Sequence, residues 1–466
     1  MDANRRAFFK TAMSLGLASS AYSVLAGCAA SDDATDVATG YDLVPDPNGL
    51  LDLPEGFTYT MHSPAGEVMS DGLRVPYSHD GMACFPVEGD PDRCILVRNH
   101  EVDYDEAGEG PFAGGQASDD VLARAYDIGA DGNPLPGGTT TLLFNLRTRE
   151  VERSHLSLAG TLRNCSGGMT PWGTWLTCEE TLDNPGSYAQ KHHGYVFEVP
   201  AMEQSLAEPV ALTAMGRFRR EATATDPRTS IVYQTEDEDA SLIYRFLPDV
   251  PGQLSAGGRL QVLSIKGQPQ ADTRNWAGVV SFAEGESLDV EWLNIDEVES
   301  PNGDLAQRGH ALGAAYFARG EGMCFAVEQT GNAVYFACTS GGAAECGQIW
   351  KYVPSEFEGT DGEEGAPGQL TLHYESPAAS EMDMCDNIVG APWGDLIICE
   401  DCDNLPRVRG VSPDGRVYPI AQNVDPGRAE FAGACFSPDG ETLFVNMQGP
   451  HVTFAIRGPW AQIIRA

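Results

Sequence analysis

The chain has 466 residues, 42% of them hydrophobic, with 52 glycines and 30 prolines, a mix that suits many short elements and tight turns rather than long helices. Its 29 basic residues face 68 acidic ones, a formal net charge of −39. Such a chain repels phosphate backbones and anionic membranes, so no nucleic-acid partner is expected, and its one sustained apolar stretch lies at the extreme N-terminus.

That first stretch reads as an export address. Asn4-Arg5-Arg6-Ala7-Phe8-Phe9-Lys10 closely matches a twin-arginine signal, a mildly apolar segment follows from Ala12 to Leu25, and Leu25-Ala26-Gly27-Cys28 resembles a lipoprotein cleavage box. The reading is a signal over residues 1–27, a lipid anchor on Cys28 and a flexible tether over 28–45. A single domain then fills 46–466. The expected location is periplasmic or cell-surface, on the membrane of a bacterium, after passage through the twin-arginine translocase. The processed chain keeps 26 basic and 67 acidic residues. Eleven cysteines besides Cys28 would then sit in an oxidising compartment, and an odd number leaves at least one thiol unpaired or bound to something. Cys84 and Cys94 are candidates for a cross-hairpin pair, and Cys399 and Cys402 are close neighbours.

Short strand-like runs recur along the rest: 94–99, 140–146, 174–179, 194–199, 230–235, 242–247, 333–339, 349–353, 395–400 and 442–447. Gly, Pro, Asp and Asn clusters separate them, and the tetrad Ser-Pro-Asp-Gly appears at 412–415 and again at 437–440 as a turn before a strand. Residues 303–316 and 380–390 are the candidates for short helices, and 103–119 and 355–368 read as surface loops. The predicted fold is all-β: an irregular β-propeller of about six blades with short helical insertions. A double β-sandwich is the alternative, but it gives no reason for acids to recur at strand ends.

That recurrence is the main chemical signal. Residues 171–180 read PWGTWLTCEE and 392–401 read PWGDLIICED, two turns, two strands and two acidic pairs. Both copies are expected to be equivalent inner strands, with Trp172 and Trp393 packing between blades. Other runs lead to Glu101, to Glu236-Asp237-Glu238, to Glu221 and Glu321 beside arginines, and to Asp386 and Glu430. An acidic pair at a strand end is ordinarily a solvated corner. Many carboxylates gathered at one hub stay ionised only if cations neutralise them. Oxygen donors suit Ca²⁺, and a thiolate among them suits a transition metal. Cys165, in Asn164-Cys165-Ser166-Gly167-Gly168, is read as a loop thiol able to reach such a hub. G-x-S-x-G, H-E-x-x-H and Walker motifs are missing.

Asn99-His100-Glu101, NCSGGMTPWGTWLTCEE (164–180), Arg319-Gly320-Glu321, DNIVGAPWGDLIICED (386–401) and EFAGACFSPDGETLFVNMQGP (430–450) together resemble the PhoX alkaline phosphatases, in the same order over roughly residues 50–460. The resemblance implies a twin-arginine-exported propeller holding two Fe³⁺ and about three Ca²⁺ ions, with a metal-bound oxygen as nucleophile toward phosphate monoesters. It implies Cys165, Glu180 and Glu321 as iron ligands, with Glu221 and an acid from the run Glu236, Asp237, Glu238 in the cluster. Asn164 and Arg319 would hold phosphate oxygens, and Asp386, Glu400 and Glu430 would serve calcium or support other ligands. Arg220 stands where the family pattern has His. A monomer acting on small phosphate esters is expected. The rival readings are a calcium-dependent propeller lactonase or phosphodiesterase, which needs neither iron nor Cys165, and a non-catalytic propeller lipoprotein that binds a partner on its face.

Overall fold

The computed structural model describes residues 42–113, 115–186, 188–328 and 331–463. The signal segment, Cys28 and all but the end of the tether lie outside them. Two short strands open the described chain, β1 (Leu43–Val44) and β2 (Leu51–Pro54), followed by β3 (Thr58–His62). β1 pairs with β2, so regular structure begins inside the stretch 28–45 assigned to the tether.

Six blades follow. Blade 1 is β4 (His79–Val87), β5 (Asp90–His100), β6 (Gly137–Asn145) and β7 (Glu150–Thr161). Blade 2 has three strands, β8 (Asn164–Met169), β9 (Thr174–Glu179) and β10 (Val196–Pro200). Blade 3 is β11 (Arg220–Thr225), β12 (Val232–Glu236), β13 (Tyr244–Pro248) and β14 (Gly258–Ile265), and its outer edge continues into β15 (Ser287–Asn294). Blade 4 is β16 (Gly320–Glu328), β17 (Gly331–Cys338), β18 (Gln348–Val353) and β19 (Gln369–Glu375); β15 also pairs with β19, fusing blades 3 and 4 into one nine-stranded sheet. Blade 5 is β20 (Cys385–Gly390), β21 (Leu396–Glu400), β22 (Arg407–Val411) and β23 (Val417–Asn423), with β2 and β1 added outside. Blade 6 is β24 (Phe431–Phe436), β25 (Thr442–Met447) and β26 (Val452–Arg457), completed by β3 from the other end of the chain. That exchange closes the circle and leaves no open seam between first and last blades. The propeller of about six blades is therefore the observed fold.

The blades are held by apolar clusters, one at each of the six blade–blade interfaces. Phe85 and Val97 meet Trp175 and Phe197 between blades 1 and 2, Val196 meets Tyr244 and Phe246 between 2 and 3, and Tyr233 meets Phe336 and Trp350 between 3 and 4. Ile349 meets Ile398, Ile397 meets Phe454, and Phe444 meets Phe144 at the remaining three. Alternating residues of the middle strands supply these layers, as burial on both sheet faces requires.

Several expectations change. The PWG phrases lie on β9 and β21, which are second strands of their blades, not inner ones. Residues 303–316 contain the helix Leu305–Leu312, but 380–390 contains β20 instead of a helix. Within 355–368, Glu358 is buried, taking hydrogen bonds from Tyr233 and Tyr352 and an ion pair from Arg245 at 2.6 Å, so that segment is partly core. All eleven described cysteines are unpaired thiols.

Candidate metal centre

Each blade's first strand runs beside the axis, and the six pack neighbour to neighbour around it. They share one irregularity. The pairing with the second strand skips between His79 and Met82, Asn164 and Gly167, Arg220 and Thr223, Gly320 and Met323, Cys385 and Ile388, and Ala432 and Cys435. A bulge re-aims the side chain it contains. The residues so placed are Asp80, Cys165, Glu221, Glu321 and Asp386, with Gly433 in blade 6. The residue after each, apart from Asn387 in blade 5, is small because the neighbouring first strand is close. A Cβ on Gly81 would lie 2.6 Å from Ser166 Cα, and one on Gly322 2.6 Å from Asn387 Cα. Beyond the bulges, the first strands line an axial cavity of about 420 Å³ that includes Met82, Gly168, Met323 and Ile388.

A second tier comes from the residue just past each second strand: Glu101, Glu180, Asp237, Thr339, Asp401 and Gln448. Each is fixed by its own N–H, which donates to the carbonyl of the residue preceding or opening the first strand's bulge region: Ser78, Arg163, Arg219, Arg319, Met384 and Glu430 respectively. Arg163 and Arg319 hold this place with φ of +45° and +51°, a left-handed backbone that non-glycine residues adopt only where the surroundings impose it.

The two tiers meet. Donor atoms of Asp80, Glu101 and Cys165 lie within 4.8 Å of one another, as do those of Cys165, Glu180 and Glu221, and those of Glu221, Glu321 and Asp386. Seven residues from five blades thus form a chain of possible ligands, all buried except Glu101, which is half-buried. Burial, then the neighbouring acids, pushes Asp80 and Glu221 well above the usual carboxylate range. Burial raises Glu180 and Glu321 as well, against the pull of Arg163 and Arg319, and raises Asp386 to about 8. Burial also raises the Cys165 thiol, which donates to Glu221 Oε1 at 3.1 Å. Two arginines enter the cluster. Arg163 reaches Glu101 at 2.9 Å and Glu180 at 2.7 Å, and Arg319 reaches Asp237 at 2.8 Å and Glu321 at 2.5 Å. Two guanidinium groups do not balance this many carboxylates. A donor set of hard oxygens plus one thiol, short of positive charge, fits multivalent cations including a thiophilic one.

The expected site residues divide. Cys165, Glu180, Glu221, Glu321, Glu101 and Asp386 come together. Cys165 reaches the cluster from the buried start of β8, not from a loop. Asp237 joins through Arg319, and Glu430 stands beside Asp401, Glu101 and Asp386, with burial raising its carboxyl. Asn164, Glu236 and Glu400 are not brought to the cluster. Asn164 accepts from Thr161, at the end of blade 1, at 2.6 Å and donates to Thr177 of its own blade at 2.9 Å. Glu236 accepts from Tyr244 and from the N–H of Leu242, and Glu400 accepts from Arg409 and from the N–H groups of Asp383 and Arg407. Arg220 is also scaffold, lying 3.9 Å over the Phe218 ring and donating to the Met215 and Gly216 carbonyls. The sequence reading missed Asp80 and passed over Asp401. Superposing the twin phrases pairs Glu179 with Glu400 and Glu180 with Asp401, a signal that was available. Asp80 announces itself only as an acid ahead of the apolar run that forms β4.

Comparison with known proteins matches this architecture. The structure of Pseudomonas fluorescens PhoX in complex with vanadate, a transition-state analogue, superposes with a TM-score of 0.63 at 17% identity, covering 90% of this chain and 98% of that one. A gluconolactonase from Xanthomonas campestris has a TM-score of 0.41 at 11% identity, covering 91% and 99%. Comparison with the curated proteins gives no match. The family model of alkaline phosphatase PhoX matches residues 39–130 and 133–451, and with this span the chain belongs to the PhoX alkaline phosphatase family and is a phosphatase.

Proposed function

We propose that the axial cluster holds iron and calcium and hydrolyses phosphate monoesters outside the cytoplasm. The observation that carries this reading is the convergence of Cys165 with Asp80, Glu101, Glu180, Glu221, Glu321 and Asp386 at one end of the axis. Cys165, Glu180, Glu221 and Glu321 would hold two ferric ions, and Asp80, Glu101, Asp386, Asp401 and Glu430 would complete calcium sites. Cations there would offset the substrate's charge and activate the attacking oxygen.

The side chains supply the rest. A phosphate dianion approaching a chain of net charge −39 needs a local positive grip. Arg319 provides one, its guanidinium oriented by two hydrogen bonds to Asp237 at 2.8 and 3.2 Å. The planar fork suits two phosphoryl oxygens. Arg163 bridges Glu101 and Glu180 through one nitrogen and offsets part of their charge. Burial excludes bulk water from the phosphoryl group, which strengthens each of these contacts. The twin-arginine motif and Cys28 support export and membrane anchoring. The test is Cys165→Ala. Iron content should fall, and turnover of p-nitrophenyl phosphate should drop by about 100-fold or more. Full turnover in that variant would overturn the role of the thiol.

A further inference from the structure

Where the last residue of a second strand is polar, it anchors the strand end instead of joining the cluster, whereas Cys338 and Met447 pack in apolar clusters. His100 bonds to the Tyr77 carbonyl and Thr140. Glu236 and Glu400 are held by groups of their own blades, as described above. Blade 2 differs. Glu179 is fully buried, and its Oε1 lies 2.6 Å from His193 Nδ1 and accepts from the Leu162 N–H at 3.0 Å. Its Oε2 accepts from Gly194 N–H at 2.8 Å and Tyr195 N–H at 3.2 Å. The other ring nitrogen of His193, Nε2, lies 3.2 Å from Asp127 Oδ2.

His193 itself is fully buried, with a carboxylate at each nitrogen. Two acceptors at the two nitrogens require two N–H donors, which only the imidazolium has. Burial opposes the charge, but Glu179 and Asp127 outweigh it and push the imidazole up to about 9. Asp127 accepts in addition from the N–H groups of Ile128, Gln190 and Lys191, all at 2.8 Å. The Tyr126 hydroxyl donates to the His192 carbonyl, and Arg217 Nε donates to the His193 carbonyl at 2.6 Å. The β5–β6 connection and the β9–β10 connection are thus tied through one imidazolium to one carboxylate.

That carboxylate sits where β9 ends and, through Leu162, beside the start of β8. Glu180 follows it directly, and its N–H donates to the Arg163 carbonyl. Leu162, bonded to Glu179 Oε1, is three residues from Cys165. We propose that His193 is a positioning residue for the metal centre: by clamping Glu179 it holds Glu180 and Cys165 at ligand spacing, and it couples metal retention to the order of the two connections. This rests on the metal-phosphatase reading above.

The experiment compares the holoenzyme with His193→Gln and with Arg245→Met. The latter breaks a buried ion network on the outside of blade 3 and so reports general loss of stability. Release of iron and calcium into EDTA is followed by elemental analysis, at temperatures set equally far below each protein's own Tm. His193→Gln is expected to release metal about tenfold faster than Arg245→Met. For p-nitrophenyl phosphate, kcat should fall more than KM rises, because Arg319 is untouched. Equal release from the two variants would overturn the inference while leaving the metal reading intact. Wild-type protein that carries neither metal would overturn both. Should His193→Gln fail to accumulate, Asp127→Asn, which removes one of the two carboxylate charges beside the imidazolium, is read by the same assay with the same two outcomes.

Discussion

At the scale of single residues, adjacent positions have opposite roles. Asn164 and Cys165 are neighbours, yet Asn164 bonds to the threonines Thr161 and Thr177 while Cys165 faces four acids from three blades. Glu179 and Glu180 repeat the pattern. Strand alternation is the reason: one residue turns to the axis and the next into the sheet's own scaffold. Asn164→Ala would strand the Thr161 and Thr177 hydroxyls, so it is expected to lower stability by about 1–3 kcal/mol. A tenfold rise in KM at unchanged Tm would instead return Asn164 to the substrate. Asp80 makes the contrary prediction. Its carboxylate is part of the cluster, and Gln448 Nε2 donates to it at 2.6 Å and to Glu101 at 2.8 Å. Asp80→Asn should lower calcium content, measured per chain, and reduce turnover by about 10–100-fold. Unchanged metal content would remove it from the site. A list of acids cannot separate these residues. The register of the two PWG phrases separates Glu179 from Glu180, because both phrases occupy the same strand of their blades.

At the scale of elements, the runs read from sequence as strands all fall on second or third strands, where Val, Ile, Leu, Tyr and Phe fill the interfaces between blades. None of the six first strands was legible. Of their sequences, NCSGGM in β8, REATAT in β11 and FAGACF in β24 hold no Val, Ile or Leu and are rich in Gly, Ala, Ser and Thr. Crowding around the axis dictates that composition, so the strands that build the site carry the weakest strand signal. Gly322 shows the constraint. Its Cβ would meet the Asp386 carbonyl and Asn387 Cα of the next blade. Gly322→Ala is therefore expected to cost about 1–3 kcal/mol of stability and to disturb Glu321 and Asp386 together. A wild-type Tm with wild-type metal content would contradict that packing. The clamp in blade 2 gives a pH dependence. His193 titrates near 9 when folded and near 6.5 when unfolded. A raised folded value means that its stabilisation is complete below about pH 6.5 and is lost as pH rises through about 9, roughly 3 kcal/mol in all. The stability difference between wild type and His193→Gln, from denaturant melts at pH 6 and pH 10, should shrink accordingly. A difference independent of pH would mean that the imidazole is not charged between Glu179 and Asp127.

At the scale of the whole molecule, the closed circle explains how ligands scattered from Asp80 to Asp386 meet. A propeller brings the same strand position of every blade to one axis, and β3 locks blade 6 so that the circle holds its diameter. The repeat was legible as recurring acids at strand ends, and its blade number came from spacing. Which first-strand side chains face inward depended on bulges that no local pattern reveals. Five bulge positions carry a ligand-type side chain and the sixth is Gly433, so the arrangement is a symmetric scaffold with an asymmetric lining. The central claim is that this lining is a metal centre for phosphate ester hydrolysis. The most direct measurement is the iron and calcium content of the natively exported enzyme, followed through chelation against turnover of p-nitrophenyl phosphate. Both metals should be present in the active protein, and turnover should disappear as they leave. Full turnover by protein containing neither metal would contradict it.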